Sequence, residues 1–415
     1  MKVLYFHQHY TDPNGTVGIR SYAMSRALAK RGHKVSIICG SYKGGDTGLR
    51  GSFKNGIRRG LVSDNVEVIE LELFYENSDN FRQRSITFLK YVFRSIRIMY
   101  LEKYDLVVAT STPLTVGIPG ICARWLRGKP FVFEVRDLWP ELPKAMKVIT
   151  NPIILKLLST LEWICYHSAH HIIALSPGIT KGILKKGVSI KKISMIPNGC
   201  DIDIFGSSVT PWRPKGVNET DFIAIFAGTH GVANGLDSIL DVAWELQSRG
   251  RNDIKFLLIG NGMLKKHLVT RVSNEKLNNI IFMDSVNKKS LSRLMAGSDV
   301  GLQVLKDLPA FYYGTSPNKF FDYISAGLPV LNNYPGWLAN IIEENNCGFT
   351  VQPNDPSKFA DTLEAAASDP ISLKVKGKNA KDLATTEFDR KVLALNWVKK
   401  IEAVYFKEKG KRYFG

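Results

Sequence analysis

At 415 residues the chain exceeds one ordinary core and has the length of two domains of roughly 200 residues each. Apolar residues at 44% and charged residues at 23% exclude a disordered or fibrous chain. The net charge of +18 points to an acidic partner, and residues 1–205 carry most of it, with 29 Lys and Arg against 16 Asp and Glu, compared with 27 against 22 in the remainder.

In chain order, MKVLYFHQHY turns polar after one apolar run and has no small-residue cleavage site, so it reads as a first strand of a cytoplasmic protein rather than a signal peptide. A helix is expected over 22–30, then strand KVSIIC and a loop, strand VEVIELEL and a helix, strand DLVVAT and a helix, and strand FVFEV running into DLWPE. This alternation predicts βαβ units and a parallel sheet. The stretch 153–175 is interrupted by Lys156, Glu162 and three histidines, which excludes a membrane-spanning helix. Residues 207–221 are rich in Pro, Gly and polar side chains and read as a linker. Beyond it come strand FIAIFAG, a helix over 236–248, strand IKFLLIG, a helix from 263, strand IIFMDS, a helix over 289–296, strand VGLQVL, a helix over 317–326 and strand PVLNN. The chain ends in a helix over 390–407 and a basic tail. The predicted fold class is α/β, with two doubly wound sheets facing a central crevice. The expected domains are 1–205, 206–388 and a C-terminal helix and tail, 389–415, packing back on the first domain.

The five cysteines are widely spaced without a CxxC pair, which argues against disulfides and zinc. His167, His170 and His171 have helical spacing but no acidic or cysteine companion, so a helix surface is the expectation for them. His7 and His9 share one strand face and are candidates to point into the crevice.

In SPNKFFDYISAGLPV (316–330), Ser316 is expected as N-cap, Pro317 as the first helical residue and Gly327 as the stop. Lys319 beside such a free N-terminus suits a phosphate, and Asp322 one turn deeper suits sugar hydroxyls. An ordinary capped helix with a surface Lys–Asp pair accounts for the same spacing. The glycine loops PNGTVGIR (Gly15, Gly18, Arg20) and AGTHGVANG (Gly228, His230, Gly231, Asn234), with Gly260 in GNG, let backbone approach an anion, although neither loop completes GxGxxG or a P-loop. Residues 81–103 place Phe88 and Phe93 on an apolar side and Arg82, Arg84, Arg94 and Arg97 elsewhere, a pattern of either a membrane-surface helix or an N-domain helix packed on its sheet.

Together EVRDLWPE (134–141), ALSP (174–177), IPNGCDIDIF (196–205), AGTHGVANGLDSI (227–239), LLIGNG (257–262) and SPNKFFDYISAGLPV resemble the retaining GT-B glycosyltransferases of family 4 along nearly the whole chain. The DLWPE and SPNK–DY versions are similar to bacterial O-antigen and capsule transferases, including those that move N-acetyl-L-fucosamine from a UDP donor. The resemblance implies a UDP-sugar donor, a polyprenyl-diphosphate-linked saccharide acceptor, a peripheral position on the inner face of the cell membrane, and no metal cofactor. Its expected donor residues are Gly15, Gly18, Arg20, Gly228, His230, Gly231, Asn234, Gly260, Ser316, Pro317, Asn318 and Asp322, with Asp322 on the ribose. Lys319, Arg136 and Asp137 are the expected catalytic groups, and His7, His9 and Glu141 are expected to face the acceptor; an Arg136–Asp137 ion pair with Trp139 packed in the core accounts for EVRDLWPE equally well. Two departures stand out. The family's pair of glutamates falls on Gly314 and Asp322, and its Arg–Lys diphosphate clamp falls on THGVAN. A UDP-sugar 2-epimerase shares the two-sheet plan and is the alternative. Nucleic-acid binding lacks a recognisable module and an NAD dehydrogenase lacks its glycine fingerprint.

Overall fold

The structure, a computed structural model, describes residues 1–76, 79, 81–206 and 209–414. The chain divides into two compact units, Met1–Pro197 with Gly314–Ser316 and Lys391–Gly415, and Asn198–Tyr313 with Pro317–Arg390. The division falls between Pro197 and Asn198, so the IPNGCD segment is shared between the units rather than lying wholly in the first.

The first unit is an eight-stranded sheet of β1 (Lys2–Phe6), β2 (Lys34–Tyr42), β3 (Ile57–Ser63), β4 (Val66–Tyr75), β5 (Leu106–Thr110), β6 (Phe131–Val135), β7 (His171–Ala174) and β8 (Ile193–Met195), in the order β3-β4-β2-β1-β5-β6-β7-β8. All pairs are parallel except β3 with β4, a hairpin turning at Asn65 in the left-handed region (φ 60°). Strand β3 is an element that apolar periodicity did not reveal, because its half-exposed IRRGLVS carries no continuous apolar face. The apolar β1 is covered on both faces, as a central parallel strand must be. Val3 and Tyr5 pack with Met24, Leu28, Trp397 and Ile401, whereas Leu4 and Phe6 pack with Tyr91, Met99 and Phe133.

The second unit is fully parallel: β9 (Phe222–Ala227), β10 (Ile254–Ile259), β11 (Ile280–Met283), β12 (Val300–Gln303), β13 (Val330–Asn332) and β14 (Gly348–Thr350), in the order β11-β10-β9-β12-β13-β14. Helices Asp237–Ser248, Lys265–Asn274, Lys288–Ala296 and Asn318–Ala326 lie within one or two residues of their expected starts. In each sheet the strand order reverses beside its first strand, at β1/β5 and at β9/β12. The carboxyl edge at such a reversal is where open α/β sheets bind ligands.

Arg20 departs from its expected donor role. It opens the helix Arg20–Lys30, and its side chain turns inward, where Nε and Nη2 donate to Glu134 Oε2 at 3.0 and 2.9 Å. Nη1 donates to the Pro197 carbonyl at 2.5 Å and Nη2 to the Ile196 carbonyl at 2.9 Å. Both side chains are 0% exposed, so no face of the guanidinium is left for a diphosphate. Glu134 also accepts from Thr110 Oγ1 and from Trp397 Nε1 of the last helix. Burial drives its pKa up, but Arg20 overrides this and holds the carboxyl below its ordinary value. Arg20→Ala leaves a buried carboxylate unpaired and is expected to cost about 3–5 kcal/mol in urea unfolding, with nucleotide affinity in the folded fraction unchanged. Parental stability with lost nucleotide affinity would restore Arg20 to the donor site.

Candidate active site

In the second unit the chemistry gathers at the β9/β12 edge. Helix Asn318–Ala326 starts there and is stopped by Gly327 at φ 71°, a conformation that glycine adopts without strain. Pro317 occupies the N-cap position, one residue later than expected; Ser316 is buried just before it, and Asn318 Oδ1 is buried without a hydrogen-bond partner. Lys319, in the first turn, reaches back over the sheet edge. Its Nζ donates to Asn234 Oδ1 at 2.6 Å and towards the Val304 carbonyl at 3.4 Å, and it stands 4.2 Å from the centre of the Phe226 ring. A side chain at Gly228 would begin 3.8 Å from this ammonium, so glycine keeps the approach open. No carboxylate pairs with Lys319 among the described residues. Burial lowers its pKa to about 7. An ammonium withdrawn from water beside a helix N-terminus, and lacking an anion of its own, is built to receive one.

The glycine loops have a different part from the expected one. The N–H of Gly228 is taken by the Ile259 carbonyl and that of Gly231 by the Thr229 carbonyl, so neither is free for a phosphate. Gly260 has φ 150°, and a Cβ there would fall 1.9 Å from the Gly228 carbonyl oxygen, so glycine permits the two loops to touch. Lys265, which motif reading missed, ties this junction through the Gly260 carbonyl at 2.9 Å and Asp284 at 2.6 Å. His230 is fully buried, tilted against Phe226 and edge-on to Phe282; burial lowers its pKa to about 4, so it is neutral and supplies no charge. Of the two polar groups at the expected clamp, Asn234 holds Lys319, with its own Nδ2 fixed by the Thr229 carbonyl at 2.7 Å.

Asp322 is also redirected. It is buried one turn below Lys319, where Lys288 donates to Oδ2 and Oδ1 has no partner. Burial raises its pKa, against the pull of Lys288. A second ion pair, Arg390 with Asp201, lies beside this one, so a ribose would have to open a buried charge cluster to reach Asp322. Asp201 of the IPNGCD motif is thereby a partner of Arg390, a tertiary link that sequence spacing did not reveal. Around Gly314 a Cβ would meet nothing within 4 Å, so sterics do not explain the glycine.

In the first unit the β1/β5 edge brings together His7, Arg136 and Asp137. The Arg136 backbone N–H donates to Ser111 Oγ at 2.9 Å, and Nη1 lies 3.0 Å from His7 Nε2. Asp137 Oδ2 accepts from Thr112 Oγ1 at 3.0 Å, and burial raises its pKa against Thr112 and Arg136. Thr112 holds φ at 106°, a costly value for a β-branched residue and one that clusters at functional sites. His9 leaves this group: it stacks on Tyr75 at 4.7 Å near Phe88, and burial lowers its pKa to about 3. Glu141 opens the short helix Glu141–Ala145 and is exposed. Gly15 is required by close packing of its loop, since a Cβ would strike Thr11 Oγ1, and Gly18 precedes Ile19, the N-cap position of the Arg20 helix.

The helix Phe81–Leu101 corrects the expected partition of faces. Tyr91, Val92, Ile98 and Met99 are core, whereas Leu89 and Phe93 look outward together with Lys90, Arg94 and Arg97. Arg82 is exposed, Arg84 lies over the Tyr75 ring at 5.4 Å, and Phe88 is half-buried in the same cluster. Helices Gly117–Arg127 and Pro152–Ser168 follow in a row beside it and expose Trp125, Leu126, Leu157 and Trp163. No helix among the described residues is long and apolar enough to cross a membrane, and no three metal-ligating side chains come together among them.

No curated protein matches the chain in sequence. Solved structures share its fold. Sucrose-phosphate synthase from Thermosynechococcus elongatus superposes with a TM-score of 0.75 at 17% identity, over 98% of this chain and 99% of that one. HepE of Anabaena in complex with UDP-glucose gives 0.66 at 16%, over 97% and 100%. WaaG, a glycosyltransferase involved in lipopolysaccharide biosynthesis, gives 0.64 at 16%, over 94% and 97%. The family described as Glycosyltransferase Family 4 matches residues 17–204, and that described as Glycosyl transferases group 1 matches residues 210–383. With two parallel-sheet units and both halves matched, the chain belongs to the GT-B glycosyltransferases of family 4.

Proposed function

We propose that the chain transfers an N-acetylated sugar, with N-acetyl-L-fucosamine the first candidate, from a UDP donor to a lipid-linked saccharide of bacterial O-antigen or capsule, with retention of configuration. The observation that carries the donor side is Lys319, an unneutralised ammonium beside a helix N-terminus at the β9/β12 edge. HepE, of the same fold, is seen with UDP-glucose. Glycosyl transfer passes through an oxocarbenium-like state while negative charge grows on the departing diphosphate. A preoriented cation in a site poor in water stabilises that charge more than it stabilises the bound donor, which is where it accelerates the reaction. Retention follows from attack on the face that the diphosphate leaves, the leaving phosphate taking the acceptor proton. Asp137, raised in pKa and held by Thr112, orients the acceptor hydroxyl. On this reading Lys319 supplies the positive charge at the diphosphate, and transfer proceeds without a metal.

Incubation with a panel of UDP-sugars and a membrane extract tests the reading. Transfer to lipid is expected, in the presence of EDTA, and Lys319→Ala should slow it about 10²-fold or more, as loss of one charge-stabilising donor does, with weaker UDP binding. Epimerised nucleotide sugar without transfer, or a parental rate and UDP affinity in the variant, would contradict it.

The acceptor side calls for a membrane surface. The outward face of helix Phe81–Leu101, with Leu89, Lys90, Phe93, Arg94 and Arg97 together, suits an anionic leaflet, and exposed tryptophans and leucines stand on the helices packed in a row beside it. Binding to vesicles containing anionic lipid should fall with added salt, the screening length being about 8 Å at physiological ionic strength. Replacing Lys90, Arg94 and Arg97 by Gln and Phe93 by Ser should weaken binding by about 1 kcal/mol per charge removed, with unfolding unchanged. Undiminished binding by the variant would exclude this face.

A further inference from the structure

We infer that Arg136 and His7 form a pocket for an acidic group of the acceptor, a phosphate or carboxylate, at the β1/β5 edge of the first unit; this rests on the reading of that unit as the acceptor side. Arg136 is half-buried, yet its guanidinium has no carboxylate within ion-pair distance among the described residues. Of the other inward-turned arginines of this unit, Arg20 is neutralised by Glu134 and Arg58 by Glu70 at 2.8 Å, and Arg127 spends its donors on the backbone carbonyls of Met99 and Tyr100. A guanidinium taken out of water without an anion is costly, and that cost is removed when an oxyanion completes the site. Its acidic neighbour in sequence does not do so, because the Asp137 carboxylate is turned to the Thr112 hydroxyl.

The hydrogen inventory favours an oxyanion over a neutral group. A guanidinium only donates, so at 3.0 Å His7 Nε2 must accept. In the neutral ring that puts the hydrogen on Nδ1, and burial together with Arg136 keeps the ring neutral. His7 Nδ1 is buried and has no partner, so it is a second donor awaiting an acceptor. The next residue, Gln8, is 1% exposed with both amide atoms unpartnered. Buried polar groups are seldom left unpaired, and here the orphans stand at the carboxyl end of β1 where the strand order reverses. Phosphate and carboxylate oxygens can accept from several donors at once, and a guanidinium binds them in a two-pronged geometry. A diphosphate of the lipid carrier and a uronic acid of the saccharide are the two sources of such a group.

Imidazole proton NMR of the full chain tests the pocket, with the His7 signal assigned by its loss in His7→Asn and with UDP present at saturation so that the donor site is filled. Geranyl diphosphate represents the carrier, sodium glucuronate the acidic sugar and glucose the neutral control. A saturable shift of the His7 signal with either oxyanion, absent with glucose, is expected, and the responding probe identifies the source. Arg136→Gln should weaken that binding at least about tenfold, the worth of one hydrogen bond to a charged group, while Arg136→Lys retains part of it. Both variants should stay folded, with Arg136→Lys unfolding near the parental temperature and Arg136→Gln no lower, since it removes an uncompensated charge. No saturable response to either oxyanion, an equal response to glucose, or undiminished affinity in Arg136→Gln would overturn the pocket. Because UDP binding and sugar transfer are measured separately, such a failure leaves the glycosyltransferase reading standing, and failure of transfer leaves the pocket measurable.

Discussion

A carboxylate at position 134, fully enclosed, has to be neutralised, and the first unit is arranged around that requirement. Arg20 supplies the charge from the first helix, Thr110 and Trp397 supply hydrogen bonds from β5 and the last helix, and the remaining guanidinium donors hold the carbonyls of Ile196 and Pro197. One buried anion thus gathers segments separated by up to 263 residues. The same logic recurs in the second unit, where Asp322 takes Lys288 and Asp201 takes Arg390. Each pair ties together elements distant in sequence, and removing one member exposes the other to the full cost of burial.

Set against these pairs, Lys319 and Arg136 are the exceptions that define the sites. Both lie at the carboxyl edge of a sheet, Lys319 at β9/β12 and Arg136 just after β6, both are half-buried, and each rests on a neutral partner, Asn234 or His7. A cation already paired inside the fold has little left to give a ligand. A cation held by an amide or an imidazole keeps its charge available, at the expense of stability in the free protein.

Much of the fold was legible in the sequence because alternating apolar strands and amphipathic helices are local patterns, and the helix behind Lys319 is bounded by local signals, Pro317 and Gly327. What was not legible is where a side chain turns once it reaches the sheet edge. Arg20 lies next to a glycine loop and reads as a phosphate ligand, but its partner is 114 residues away. Asp322 reads as a surface carboxylate one turn from Lys319, but Lys288 is 34 residues upstream and pulls it inside. Conversely, the value of Phe226 as a platform for the Lys319 ammonium, and the Thr112 hydroxyl that holds Asp137, carry no motif. In helix Phe81–Leu101 the periodicity was read correctly as amphipathic, but the exposed side combines the basic residues with Leu89 and Phe93, which only the packing of Tyr91, Val92 and Met99 on the sheet decides.

The Lys319 ammonium is held ready for an anion, and its titration reports that state. In the free protein burial sets its pKa at about 7, against about 10.4 for an unfolded lysine. Between these values the unfolded chain holds the extra proton, so this group adds to folding stability as pH rises through that window, while affinity for an anion falls over the same range. Observed by NMR with nitrogen-15 lysine, and assigned by loss in Lys319→Arg, the resonance should titrate near 7 in the free chain and move upward by more than one unit when UDP is added. A midpoint near 10.4 in the free chain, or one that UDP leaves in place, would mean that this lysine is an ordinary surface cation and not the diphosphate's partner.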